Sequence, residues 1–173
     1  MSDGFGVTAW GRDWIRLAQP ISITRPNPAL PRARTLARND QVVEVVIAAG
    51  AITAVVSGKR THVVSLSCAT WPEPDIRRAE DVLAAVPAGD LPDSVHAECI
   101  RGGLVILEEI TAICDCTQRA TPCVHILAVY FEIARRVDEQ PLLAFELRGV
   151  RGRSDRDATR ILIEHIDPAN FYG

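Results

Sequence analysis

What this sequence lacks narrows it first. No apolar run approaches the roughly 18 residues that a membrane span needs, so no membrane partner is expected. The first residues carry neither a basic start nor an apolar core, so no secretory leader is read there. Lysine occurs once, as Lys59, against eighteen arginines; with so skewed a usage, clusters of Arg reflect codon bias as well as function. Repeats and low-complexity tracts are missing. So are a nucleophile elbow, a phosphate-cradling glycine loop and a pair of carboxylates in a catalytic frame. No enzyme and no small-molecule substrate are expected. With 5 cysteines in 173 residues, the chain does not resemble a disulfide-stapled secreted domain. A reducing, cytoplasmic setting follows, with Cys68 and Cys99 as buried free thiols.

What is present is ordinary for a globular chain: 47% hydrophobic and 24% charged residues. The net charge of −3 argues against wholesale nucleic-acid binding, but the charge is unevenly spread. From Arg12 to Arg38 there are six Arg against one acid, Asp13, and from Arg148 to Arg160 five Arg against two acids. Between Glu73 and Glu109 nine acids face three Arg. Direct nucleic-acid binding through the Arg-rich arm and tail is therefore one functional reading.

The densest chemistry lies at Cys114-Asp115-Cys116, six residues, then Cys123-Val124-His125. Three thiols and an imidazole within twelve residues form a complete tetrahedral set for Zn²⁺, with no position left for substrate water. A short strand, Ile110 to Ile113, would deliver Cys114 and Cys116, and Thr121-Pro122 would open a helix with Pro122 in its first turn. Cys123 then lies where helix amides favour a thiolate. Asp115 and Glu108-Glu109 are candidate acceptors for the His125 N–H. Inert thiols, a redox pair and a Cys–His nucleophile are the competing readings. The last is disfavoured because two side chains two residues apart at a helix start diverge, and nothing nearby orients the His.

The Cys-x-Cys…Cys-x-His pattern leading into an apolar helix resembles the SWIM zinc finger. Phe5-Gly6-x-Thr8-x-Trp10-Gly11-x-x-Trp14, Arg34-Thr35-Leu36-Ala37-Arg38, Pro141 to Phe145 and Glu146-Leu147-Arg148-Gly149 resemble blocks of bacterial SWIM-domain proteins. Val124 stands where relatives often carry Lys, and the aromatic that commonly follows the second Cys is absent. Both point away from phosphate contact by the finger itself. The resemblance implies one structural zinc held by Cys114, Cys116, Cys123 and His125. It also implies DNA or protein binding, and a partner of the SWI/SNF-type helicase ATPase class. A protein–protein adaptor is the leading expectation, cytoplasmic, with nucleoid association as the further option. DNA binding and a thiol redox sensor are the alternatives.

The expected fold class is α+β, with small antiparallel sheet packed against helices and a strand-then-helix zinc finger. Residues 1–40 read as a Trp-containing segment and a Pro-rich arm, four prolines between Pro20 and Pro31 breaking regular structure. Arg32 to Asn39 would approach the sheet. Residues 41–100 read as strands 41–48, 51–57 and 61–67, then helices 72–86 and 93–100. Residues 101–149 hold a compact strand at Leu104 to Leu107, the finger, a helix from Pro122 to about Asp138, and a short helix from Pro141 closed by Gly149. Residues 150–173 read as an amphipathic tail with a capped helix from Ser154 to Ile166. Trp10 and Trp14, four apart, are expected as core anchors on one helical face, and His96 and His165 as non-ligands.

Overall fold

The computed structural model describes residues 4–20, 25–87, 91–118 and 122–151. The expected Ser154–Ile166 helix, His165 and Thr121 lie outside them. Among the described residues the fold is α+β. It has α1 (Ala9–Ala18), α2 (Leu30–Arg38), β1 (Val42–Ala48), β2 (Ala51–Val56), β3 (His62–Ser67), α3 (Glu73–Ala84), α4 (Asp93–Arg101), β4 (Thr111–Cys114), α5 (Val124–Glu139) and α6 (Leu142–Leu147).

The four strands form one antiparallel sheet in the order β1-β2-β3-β4. Ala48 pairs with Ala51 across the Ala49-Gly50 turn, where Gly50 adopts a φ of 73°. The register slips between Val43 and Val46, a bulge at which Glu44 takes a left-handed φ of 50°. Val42, Ile52, Ala54, Val56, Val64 and Leu66 are buried on the inner face, alternating with exposed neighbours as a one-sided sheet requires.

Helix α5 is the axis of the molecule. Burial runs round nearly all of it, from Val124 through Ile126–Ala134 to Val137, the pattern of a helix with neighbours on every side. Helices α1 and α2 pack along it, and the sheet approaches from another side. Trp10 and Trp14 are buried in this core, Trp10 against Phe145 and Trp14 against Tyr130. The Trp10 indole N–H donates to the Leu91 carbonyl at 3.0 Å, so its one polar atom is satisfied.

Two expectations need correcting. The stretch after the prolines is not merely an approach to the sheet: Leu30–Arg38 is helical, with Pro31 in its first turn, where a missing N–H costs nothing. Its Leu30, Ala33 and Ala37 stripe is buried. Leu104 to Leu107 is not a strand. Leu104 and Ile106 are buried and Val105 is exposed, but its carbonyl is taken by the Trp71 indole at 3.1 Å rather than by a neighbouring strand.

The Phe5-to-Trp14 block has a physical reading. Asp138 on α5 accepts hydrogen bonds from the Val7 and Thr8 amides at 2.9 and 2.8 Å and from the Thr8 hydroxyl at 2.7 Å. Thr8 caps α1 by accepting from the Gly11 amide. Gly11 is glycine because a Cβ there would press on the Asp138 carboxylate and lie 2.8 Å from the Ala134 carbonyl. These residue types set how closely α1 approaches α5.

Candidate metal centre

Strand β4 is short and sits at the sheet edge, where Cys114 pairs with Val64 and the Asp115 amide donates to the Val63 carbonyl at 3.2 Å. Cys114 is the last strand residue, and Cys116 follows two residues on. The other half comes from the start of α5. Cys123 is its N-cap, with extended backbone (φ −75°, ψ 170°), so the helix begins at Val124. The predicted placing of Pro122 inside the first turn is therefore corrected: Pro122 precedes the cap, and its carbonyl accepts from the Asn27 side chain at 3.1 Å. Cys123 stands one step earlier than expected but still receives hydrogen bonds from the His125 and Ile126 amides.

The structure brings together all four side chains expected as ligands. One donor atom from each of Cys114, Cys116, Cys123 and His125 lies within 4.8 Å of every other. His125 turns Nδ1 toward the thiols, 3.7 Å from Cys114 Sγ and 4.0 Å from Cys123 Sγ. A tetrahedral ion with sulfur at about 2.3 Å and nitrogen at about 2.0–2.1 Å has ligand–ligand edges of about 3.5–3.8 Å. The cluster is therefore near the size such an ion needs, and the group could hold a metal ion. All five cysteines are free thiols, so no disulfide competes for the sulfurs.

The local electrostatics suit the same donor set. Burial pushes the Cys114 thiol up to about 12, with the neighbouring thiols adding to it. Burial also raises Cys123, opposed by the Ile126 and His125 amides. Burial pushes Cys116 the same way, but the Gln118 amide and the other two thiols outweigh it and hold Cys116 below its ordinary value. His125 is lowered, first by burial and then by His62 and Arg32, which favours the neutral imidazole that a metal requires. Three thiolates could share so small a space only with a cation to hold their charge.

The surroundings differ from expectation. Asp115 does not reach the His125 ring; its Oδ1 lies 3.0 Å from Nδ1 of His62. Glu108 is taken by Arg148, at 3.1 Å. The neighbour missed from sequence is His62, whose ring stacks on that of His125 with centroids 4.2 Å apart. It is the first residue of β3, and only the pairing of β3 with β4 brings it there. His96, expected as a non-ligand, is buried with Nε2 2.8 Å from the Asp13 carboxylate.

Comparison with known proteins adds one relative. The chain is similar to "Uncharacterized protein Rv2102" of Mycobacterium tuberculosis. The two are 26% identical over 163 aligned residues, which cover 87% of this chain and 57% of the relative. This chain thus spans little more than half the length of that protein. No family model matches the chain, so the SWIM resemblance rests on the residues that carry it. No solved structure matches it.

The Arg-rich arm can now be read residue by residue. Arg12 is paired with Asp93 at 2.9 Å and Arg16 with Asp13 at 2.8 Å, while the Arg34 guanidinium lies over the Phe131 ring. Much of that charge is engaged within the molecule. No helix among the described residues is long and apolar enough to cross a membrane.

Proposed function

We propose that this chain is a non-enzymatic interaction module in which one structural Zn²⁺, held by Cys114, Cys116, Cys123 and His125, pins the edge strand β4 to the start of α5. The observation that carries the reading is the convergence on one point of four soft donors, four only among the described residues. A Cys₃His set fills a tetrahedral zinc, and a filled site is a structural one. The partner is a protein, and by the SWIM resemblance it belongs with nucleic-acid-associated ATPases of the helicase type. Internal ion pairing of Arg12 and Arg16 and the packing of Arg34 over the Phe131 ring, together with the net charge of −3, support protein binding over direct DNA binding through the arm.

Elemental analysis of the purified chain tests the metal, with one zinc per chain expected. Less than half an equivalent, or a reversible disulfide within the cluster in its place, would turn the reading to a thiol redox sensor. Titration with duplex and single-stranded DNA tests the partner class. A steep fall of affinity with salt would move the function to nucleic-acid binding. Recovery of a helicase-type ATPase on the zinc-loaded chain, but not on chelated protein, is the result expected.

A further inference from the structure

A cleft of about 520 Å³ opens beside the metal cluster, and His125 forms part of its wall. Three cations border it from two separate elements: Arg32 from α2, and Lys59 and Arg60 from the loop joining β2 to β3. All three side chains are exposed, and none makes an ion pair with a described residue. They differ in this from Arg12, Arg16, Arg77, Arg78, Arg135, Arg136 and Arg148, each of which has a carboxylate partner. The floor is apolar, with Val56 buried and Leu36 half-buried. Ser57, Gln41 and Gln118 add neutral hydrogen-bonding groups.

We infer that this cleft takes an acidic peptide segment of a partner protein, its carboxylates on Arg32, Lys59 and Arg60 and a small apolar side chain against Val56 and Leu36. The inference rests on the interaction-module reading and names the chemistry of its partner. Charge complementarity supplies the first argument. Unpaired guanidinium and ammonium groups around a partly apolar floor match alternating acidic and apolar side chains, with Arg able to grip a carboxylate by two hydrogen bonds. The rings at the cleft favour peptide over nucleic acid. Single strands are held by stacking bases on open rings along a long basic track. Here the rings at the cleft, His62 and His125, are stacked on each other. The site therefore offers anchors for a few carboxylates.

The metal has a definite part in this arrangement. Gln118 and His125 line the cleft from the two halves of the cluster, so an ion that draws those halves together also fixes one wall.

The test uses the full chain loaded with zinc and a fluorescein-labelled ten-residue peptide of alternating Glu and Leu. Its Gln-for-Glu counterpart and labelled 20-nucleotide single-stranded and duplex DNA are run beside it in low salt. Binding of the Glu peptide, with backbone amide shifts at Lys59, Arg60 and Gln118, is expected. The double change K59E/R60E should weaken it on the order of tenfold or more, while Arg77→Glu on α3 should not. Both positions are exposed, so zinc content should stay at that of the parent. Equal binding of the Gln peptide, unchanged binding by K59E/R60E, or tighter binding of DNA through the same residues would overturn the proposal. Zinc at one equivalent with no peptide binding sinks this inference alone. Peptide binding that survives without metal sinks only the part given to zinc.

Discussion

Gly11 and the four clustered donors show how differently single residues can matter. At Gly11 the constraint is space: helix α1 can lie against α5 only because no Cβ intrudes on Asp138 and Ala134. Gly11→Ala should therefore cost about 1–3 kcal/mol despite alanine's better helix propensity. Urea denaturation would check this, and a variant as stable as the parent would show that α1 can shift without loss. At the cluster the constraint is chemical. Cys116→Ser or His125→Ala should release the metal, as read by elemental analysis. Cys99→Ala and Cys68→Ala should retain it, because neither thiol belongs to the four-donor group. A one-for-one loss of zinc in either control would show that the wrong thiols were assigned.

Among the elements, α1 is tied down at its positive end by two carboxylates from other helices. Asp138 of α5 takes the Val7 and Thr8 amides, and Asp93 at the start of α4 takes the Ala9 amide at 2.7 Å while pairing with Arg12. The Ala9 amide first, and then Arg12, hold the Asp93 carboxyl below its usual value. A carboxyl lowered on folding stabilises above its unfolded pKa, and that contribution fades as pH falls through the folded value. Asp93→Asn should thus be less stable than the parent at neutral pH, with the difference shrinking toward acid below about pH 4. Parallel thermal melts at pH 7 and pH 3 would reveal it, and a constant difference would assign the effect to packing. This tie between α1 and α4 could not be read from sequence, since it joins a backbone amide to a carboxylate 84 positions away. The elements themselves were largely legible. The three strands and the helices from Glu73, Asp93 and Leu142 lie close to their periodic signals. Helix α2 was hidden because prolines that usually break structure here open a helix. The grouping of the four candidate donors was legible from their spacing, whereas His62 and the cationic cleft depend on which strand lies beside β4.

For the whole molecule, the question is how far the influence of the proposed metal would reach. The cluster joins a four-residue edge strand to the first turn of the central helix. The remainder of α5 is held independently, by the buried faces of α1 and α2 and by the aromatic contacts of Trp14 with Tyr130 and of Phe5 with Phe131. Burial of a large apolar side chain contributes about 1.5–3 kcal/mol, and this core contains many of them. Chelation should therefore cause local opening. Amide exchange should accelerate at residues 111–118 and at the start of α5, while the protected amides between Val129 and Val137 stay slow. Trp10, Trp14 and Trp71 are all buried outside the cluster, so tryptophan fluorescence should change little on the same treatment. If the emission shifts to that of exposed indole and all of α5 exchanges together, the ion sustains the entire core, and β4 and α5 open as one cooperative unit.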